Sequence, residues 1–199
     1  MKSYKLTDIK MKTQNDTLWG EGIEHTVTEE GNELCSGGVI HAYRSPLMAA
    51  MFNPIHAAIK NPLLWECETS EPVADDGLKI GIKTCKTLKQ IPLPEISTSA
   101  RVRVAILCAL KMYNEPSYTA WAEDWLSGKD RSESAAARAT KWAAESAAES
   151  AARAAAWATK WAAESAAARA IKSAASTDQK IDILALIEQA IKAEENESL

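Results

Sequence analysis

The chain of 199 residues lacks most of the marks by which a sequence announces its chemistry. It contains no GxSxG, no phosphate-binding P-loop, no GxGxxG and no Ser/His/Asp order, so the common nucleophilic and nucleotide-binding signatures are missing. Its four cysteines, Cys35, Cys67, Cys85 and Cys108, stand 32, 18 and 23 residues apart with no closely spaced pair, which argues against a zinc site and, with no metal cluster elsewhere, against a bound metal. No window of eighteen apolar residues exists to span a bilayer, and the opening MKSYKLTDIKMKTQND has no apolar leader core. Reduced thiols in the cytoplasm of a host cell are the simplest reading, and no membrane partner is expected.

Charge of one sign is also scarce. Residues 1–112 carry 13 Lys/Arg against 13 Asp/Glu, and residues 113–199 carry 10 against 14, for a net charge of -4. Phosphate-backbone binding needs clustered cations, so nucleic acid is disfavoured as the direct ligand. Glycine and proline are absent from residues 134–175, where 22 of 42 residues are alanine. Alanine loses no side-chain entropy on entering a helix, and nothing interrupts it here, so a long helix over about 132–175 is expected.

The decapeptide ATKWAAESAA occurs twice in that tract, beginning at Ala139 and Ala158. An offset of 19 residues turns a straight helix by about 100°, so the copies do not share one continuous face. Between Trp142 and Thr159, Ala144, Ala147, Ala151, Ala154 and Ala158 gather on one side, a small-residue stripe that would let another helix come close. A second helix is expected over about 178–195, with Ile181, Leu184, Ile187 and Ile191 on one stripe that needs a partner. These nine positions are the candidate interface, either for folding back within the chain or for self-association into a homo-oligomer.

Residues 1–128 read differently, as a small mixed α/β domain of short strands, turns and helices. LCSGGVIHAY suggests a buried strand entered through Gly37-Gly38. Ser45 caps a following helix whose first position is Pro46, Asn53-Pro54 breaks it, and PIHAAIK continues as a second helical piece. LLWEC and LKIGIKT read as strands, the second with Leu78, Ile80 and Ile82 alternating against Lys79, Gly81 and Lys83. Pro92 and Pro94 confine KTLKQIPLPEI to an edge strand or a linker. A helix follows from a cap at residues 97–99 until Asn114-Glu115-Pro116 ends it, and SYTAWAEDWLSG is a second short helix with Trp121 and Trp125 on one face and Gly128 as its stop. The fold class is therefore α+β, with a domain over 1–128 and a helical arm over 129–199.

Few residues stand out as chemistry. His25 lies near Glu21 and Glu24. His41 and Tyr43, two apart on a strand, point to the same face and would line a pocket together. Glu66 sits in an apolar strand, where a carboxylate needs a partner or loses solvation. These four are the catalytic candidates of the first domain; the plainer reading of each is a side chain facing water or hydrogen-bonded in the core.

The run CSGGVIHAYRSPLMAAMFNPIHA, then LLWECE, IPLPEI, RVRVAILCAL and WAEDWLSGKDRS before an Ala/Trp/Ser/Arg-rich tail, resembles a family of phage and prophage proteins with no assigned reaction. The resemblance covers nearly the whole chain and implies a viral or mobile-element setting, in which small proteins often bind and disable host defence or metabolic proteins. On that reading the chain is a non-enzymatic interaction protein with no cofactor, whose partner is a host or phage protein, or else a virion or assembly component. A second likeness is to ADP-ribosyl-transferase-like folds, where a Gly-bearing strand leads into a helix near Ser-Pro, here Gly38 to Ala49. It implies NAD or nucleotide binding, with His25, Tyr43 and Glu66 as counterparts of a His/Tyr/Glu set.

Overall fold

A computed structural model describes residues 1–132, 164–176 and 181–197. They form two compact units, Met1–Glu95 and Ile96–Leu199, of α+β class taken together. The first contains seven strands, β1 (Lys2–Thr7), β2 (Glu24–Thr26), β3 (Ile40–Ala42), β4 (Leu63–Thr69), β5 (Ala74–Asp75), β6 (Ile80–Ile82) and β7 (Thr84–Ile91), with the helix α1 (Pro46–His56). The second contains α2 (Thr98–Leu110), α3 (Pro116–Leu126), α4 (Glu164–Ala175) and α5 (Ile183–Glu197).

In the first unit one antiparallel sheet runs β1-β4-β7-β2 and the other β3-β6-β5. Tyr4 and Tyr43 join them by exchanging both backbone hydrogen bonds, at 2.9 and 2.8 Å. The two sheets enclose one core of Trp19, Ile40, Ala42, Trp65, Cys67, Ile80, Ile82 and Cys85. Burying such side chains contributes about 1.5–3 kcal/mol each, which offsets the entropy lost in ordering short strands.

Several sequence expectations need revision here. KTLKQI is an edge over most of its length, since β2 pairs with β7 only at residues 84–86 and residues 88–91 have β4 alone as a ladder partner; Pro92 and Pro94 fall beyond its last residue, so neither removes a ladder donor. Pro54 does not break α1, which runs through it to His56. The expected second helical piece does not form, because Ala58 and Asn61 take left-handed backbone at φ 50° and 51°, and the Asn53 side chain bonds the Ile59 backbone at both its N–H and its C=O. Ser45 does cap α1, accepting from Met48 N–H at 3.3 Å. The alternation of LKIGIKT does not leave one face in water, since Lys79 is itself buried. The loop of residues 28–38 covers that face, and Lys83 Nζ holds it by donating to the carbonyls of Glu29, Gly31 and Gly38 at 3.1, 2.8 and 2.6 Å.

The second unit groups α2 and α3 with the C-terminal helices, whereas the sequence reading placed the boundary near residue 128. The reason is that α2 is buried nearly all round, with both α4 and α5 packed on it. Small side chains make the α2/α4 approach close: Ala167, Ala168, Ala170 and Ala174 are all buried around Ile171. The stripe on α5 is satisfied within the chain, through Ile183, Leu186, Ile187 and Ala190, while Ile181, Leu184 and Ile191 are half-buried at its margins. The alanine interface positions Ala144, Ala147, Ala151, Ala154 and Ala158 lie outside the described residues, as does most of the expected long helix.

Two arginines buried on α2 draw the C-terminal helices down. Arg101 faces Glu164 at 3.7 Å, and Arg103 donates to Leu126 O at 3.0 Å and pairs with Glu197. Arg131 adds a second cation to Glu197 at 3.2 Å and lies 4.8 Å above the Trp125 ring. Burial opposes the charge of Glu197, but hydrogen bonds from Arg131 and Arg103 outweigh it and hold the carboxyl below its usual range.

Gly38 is the position where the covering loop tolerates least. A Cβ there would stand 2.4 Å from Gly31 O and 2.8 Å from Glu30 O, both backbone atoms. Gly38→Ala is expected to lower stability by about 1–3 kcal/mol, the range of overpacking, in urea unfolding. An unchanged midpoint would contradict this packing of the loop.

Candidate functional site

The four catalytic candidates do not share a hydrogen-bond network. His25 lies on β2, where its Nε2–H donates to Leu18 O at 2.7 Å and its ring meets Trp19 edge-on with centroids 4.5 Å apart. Glu66 pairs with Lys2 at 2.9 Å. That hydrogen bond, opposed by partial desolvation and assisted by the charges of Lys2 and Lys89, holds its carboxyl below the ordinary range. A carboxyl held down in this way is an ionised acceptor at neutral pH rather than a general acid. Tyr43 is buried, which pushes its phenol above the usual value, and its ring stacks on His56 with centroids 6.1 Å apart. His41, two residues earlier, also feels the charge of Asp76 but makes hydrogen bonds of its own.

Around His41 the structure gathers residues that the sequence did not bring forward. The strand β3 pairs His41 with Gly81 of β6, a glycine at which an added Cβ would come within 3.2 Å of Leu34 and Val39. The imidazole Nε2 accepts the Cys35 backbone N–H at 2.9 Å, so the ring is neutral and carries its proton on Nδ1. Cys35, at φ 67°, turns its Sγ to Lys79 Nζ at 3.0 Å. The Lys79 backbone is fixed in turn, its N–H donating to Asp76 Oδ1 at 2.8 Å. Behind His41, Lys5 Nζ donates to the His41 carbonyl at 3.0 Å and sits 4.4 Å over the Trp19 ring.

Lys5 is buried on the inner side of β1 with Ser3 and Thr7. Desolvation lowers its pKa, with Cys85 and Cys67 opposing. Cys67 and Cys85 form a tightly coupled buried pair in which the Cys67 thiol is pushed up by its hydrogen bond to Cys85 and by burial. All four cysteines are free thiols. Alternation in KSYKLT would set Lys5 in water, and only the covering of both sheet faces reverses this. For Cys35 and Lys79, 44 residues apart, no spacing in the sequence signals the contact.

A cleft of about 340 Å³ lies elsewhere in the first unit, between residues 62–64 and 90–93. It is lined mainly by proline, leucine and isoleucine, and none of the four candidates reaches it. Among the described residues no three His, Cys, Asp or Glu side chains converge as metal ligands, and no helix is long and apolar enough to cross a membrane. Compared with models of protein families, with curated proteins and with solved structures, the chain matches none.

The His41 environment makes a pH prediction. Burial first, then the charges of Lys79 and Lys5, push its pKa down to about 4, with Asp76 opposing. An unfolded histidine titrates near 6.5. As pH falls from about 6.5 toward 4 the unfolded chain therefore takes up a proton that the folded chain refuses, and stability present in full above that window is lost through it. The loss from this group at pH 5 is about 1 kcal/mol once partial exposure of the ring is discounted. In proton-resolved NMR the His41 ring signals should keep their neutral positions at pH 5, and a titration midpoint near 6.5 would contradict the geometry.

Proposed function

We propose that the chain is a non-enzymatic protein-binding module of phage or prophage origin, acting on a host protein, with its docking surface on the first unit. The observation that carries this reading is a braced loop, residues 8–19, that holds apolar side chains in water. Ile9, Leu18 and Met11 are 67%, 49% and 39% exposed. Asp8 Oδ1 accepts from the Lys10 and Lys12 N–H groups, both at 2.8 Å, and Trp19 N–H donates to Met11 O at 2.7 Å. Lys12 pairs with Asp16 at 3.1 Å, and Trp19 Nε1 donates to Thr13 Oγ1 at 2.8 Å.

A loop braced in this way and carrying exposed apolar side chains loses little entropy on docking, which is what raises affinity for a given contact area. Exposed hydrophobic groups clustered on one element are also the usual mark of a protein-binding surface. The ADP-ribosyl-transferase-like reading has less behind it, because His25, Tyr43 and Glu66 are each held by separate neighbours.

The double variant Ile9→Glu/Leu18→Glu tests this. Both sites are exposed, so stability should change by no more than about 0.5 kcal/mol each. A partner captured by the wild-type chain from cells carrying the element should be lost from the variant, with circular dichroism unchanged. Retention of every captured protein at equal yield would contradict a docking surface on this loop.

A further inference from the structure

We propose that Cys35 and Lys79 form a redox clasp, an oxidative covalent bridge from Sγ to Nζ that fastens the loop of residues 28–38 to β6. The two atoms stand 3.0 Å apart in the reduced protein. Cys35 is exposed and open to a small oxidant, whereas Lys79 is buried to 7% exposure and its ammonium makes its hydrogen bond to that sulfur. A buried amine with a weak sulfur acceptor as its partner is an uncommon arrangement, since ammonium groups are ordinarily matched with oxygen acceptors. The pair is held from both sides. His41 Nε2 accepts the Cys35 N–H at 2.9 Å, and Asp76 Oδ1 accepts the Lys79 N–H at 2.8 Å. Neither residue needs to travel for the reaction.

Hydrogen peroxide is the oxidant class the exposure of Cys35 admits. The Cys35 sulfur attacks one peroxide oxygen, an S–O bond forms, the O–O bond breaks, and the departing hydroxide takes up the thiol proton as water. Sulfur is oxidised by two electrons and peroxide is reduced. The Lys79 ammonium gives one proton to solvent water, its nitrogen lone pair attacks the sulfenic sulfur, an N–S bond forms, and the S–O bond breaks, the hydroxide leaving as a second water with another proton from that nitrogen. Thiol, amine and one peroxide thus give one sulfenamide and two waters, and the chain loses two hydrogens. A small thiol reverses the bridge by attacking its sulfur. Because Lys83 already binds three carbonyls near this loop, the bridge adds a covalent tie to one that is electrostatic.

The full chain treated with hydrogen peroxide, blocked with N-ethylmaleimide and digested, should yield a peptide joining Cys35 to Lys79 and lacking two hydrogens. Dithiothreitol should abolish it, and amide exchange over residues 28–38 should slow several-fold in the oxidised form. Lys79→Arg should instead leave a sulfenic acid at Cys35 that dimedone labels several-fold more than in the wild type. Should Lys79→Arg fail to fold, Cys35→Ser, at an exposed position, serves as the control in which no linked peptide forms. Cys35 recovered from the wild type as sulfinic or sulfonic acid, or joined to another residue, with no link to Lys79, would overturn the proposal.

Discussion

The first unit depends on one buried cation. Lys5 stands on the inner side of β1, and its ammonium is satisfied by the carbonyl of His41 on β3 and by the face of Trp19. An unpaired ammonium in such a place would be expelled or neutralised. A charge-assisted hydrogen bond and a desolvated cation–π contact, worth about 1.5–3 and about 2 kcal/mol, hold it instead. The link runs from one sheet to the other, beside the reciprocal Tyr4 and Tyr43 backbone bonds, so it fixes how β1 meets β3. Placement of His41, and through it of Cys35 and the covering loop, follows from that alignment.

The same device recurs in the second unit with arginine. Arg101 and Arg103 lie on a helix otherwise clothed in alanine, valine and isoleucine, and each reaches a carboxylate on α4 or α5. Each arginine is buried while its carboxylate is about half exposed, so the cost of losing a pair falls on the buried cation, and such pairs favour one arrangement of helices over others. The alanine side chains of α4 supply close approach but little buried area, and the aliphatic side chains of α5 supply the area.

How much of this the sequence disclosed depended on whether the signal was local. Ser45 as a cap, a cap among residues 97–99, Pro46 at a helix start, Gly128 at a helix stop and an amphipathic C-terminal helix were all legible, because each rests on neighbours within one or two turns, whereas Pro116 read as a helix end although it opens α3. The pairing of residues 84–86 of β7 with β2 was not legible, because Pro92 and Pro94 mark only the far end of the strand, where it is an edge. Burial of Lys5 and Lys79 was hidden for a related reason: polar residues at alternate positions signify water only if nothing covers that face. Of the candidate site, His41 was legible as a histidine on a buried strand, but its partners Cys35, Lys79 and Lys5 come from three separate segments. No spacing rule reaches across them.

The interaction reading rests on the contrast between four separately held candidates and one braced loop with exposed apolar side chains. Native mass spectrometry of the full chain, gently purified from its native cells, tests it most directly, since one spectrum shows subunits, protein partners and retained small molecules together. The account predicts the 21.6 kDa chain in complex with a protein partner and free of any small adduct. A monomer carrying a nucleotide-sized adduct would contradict it and return the first unit to the ligand-binding class.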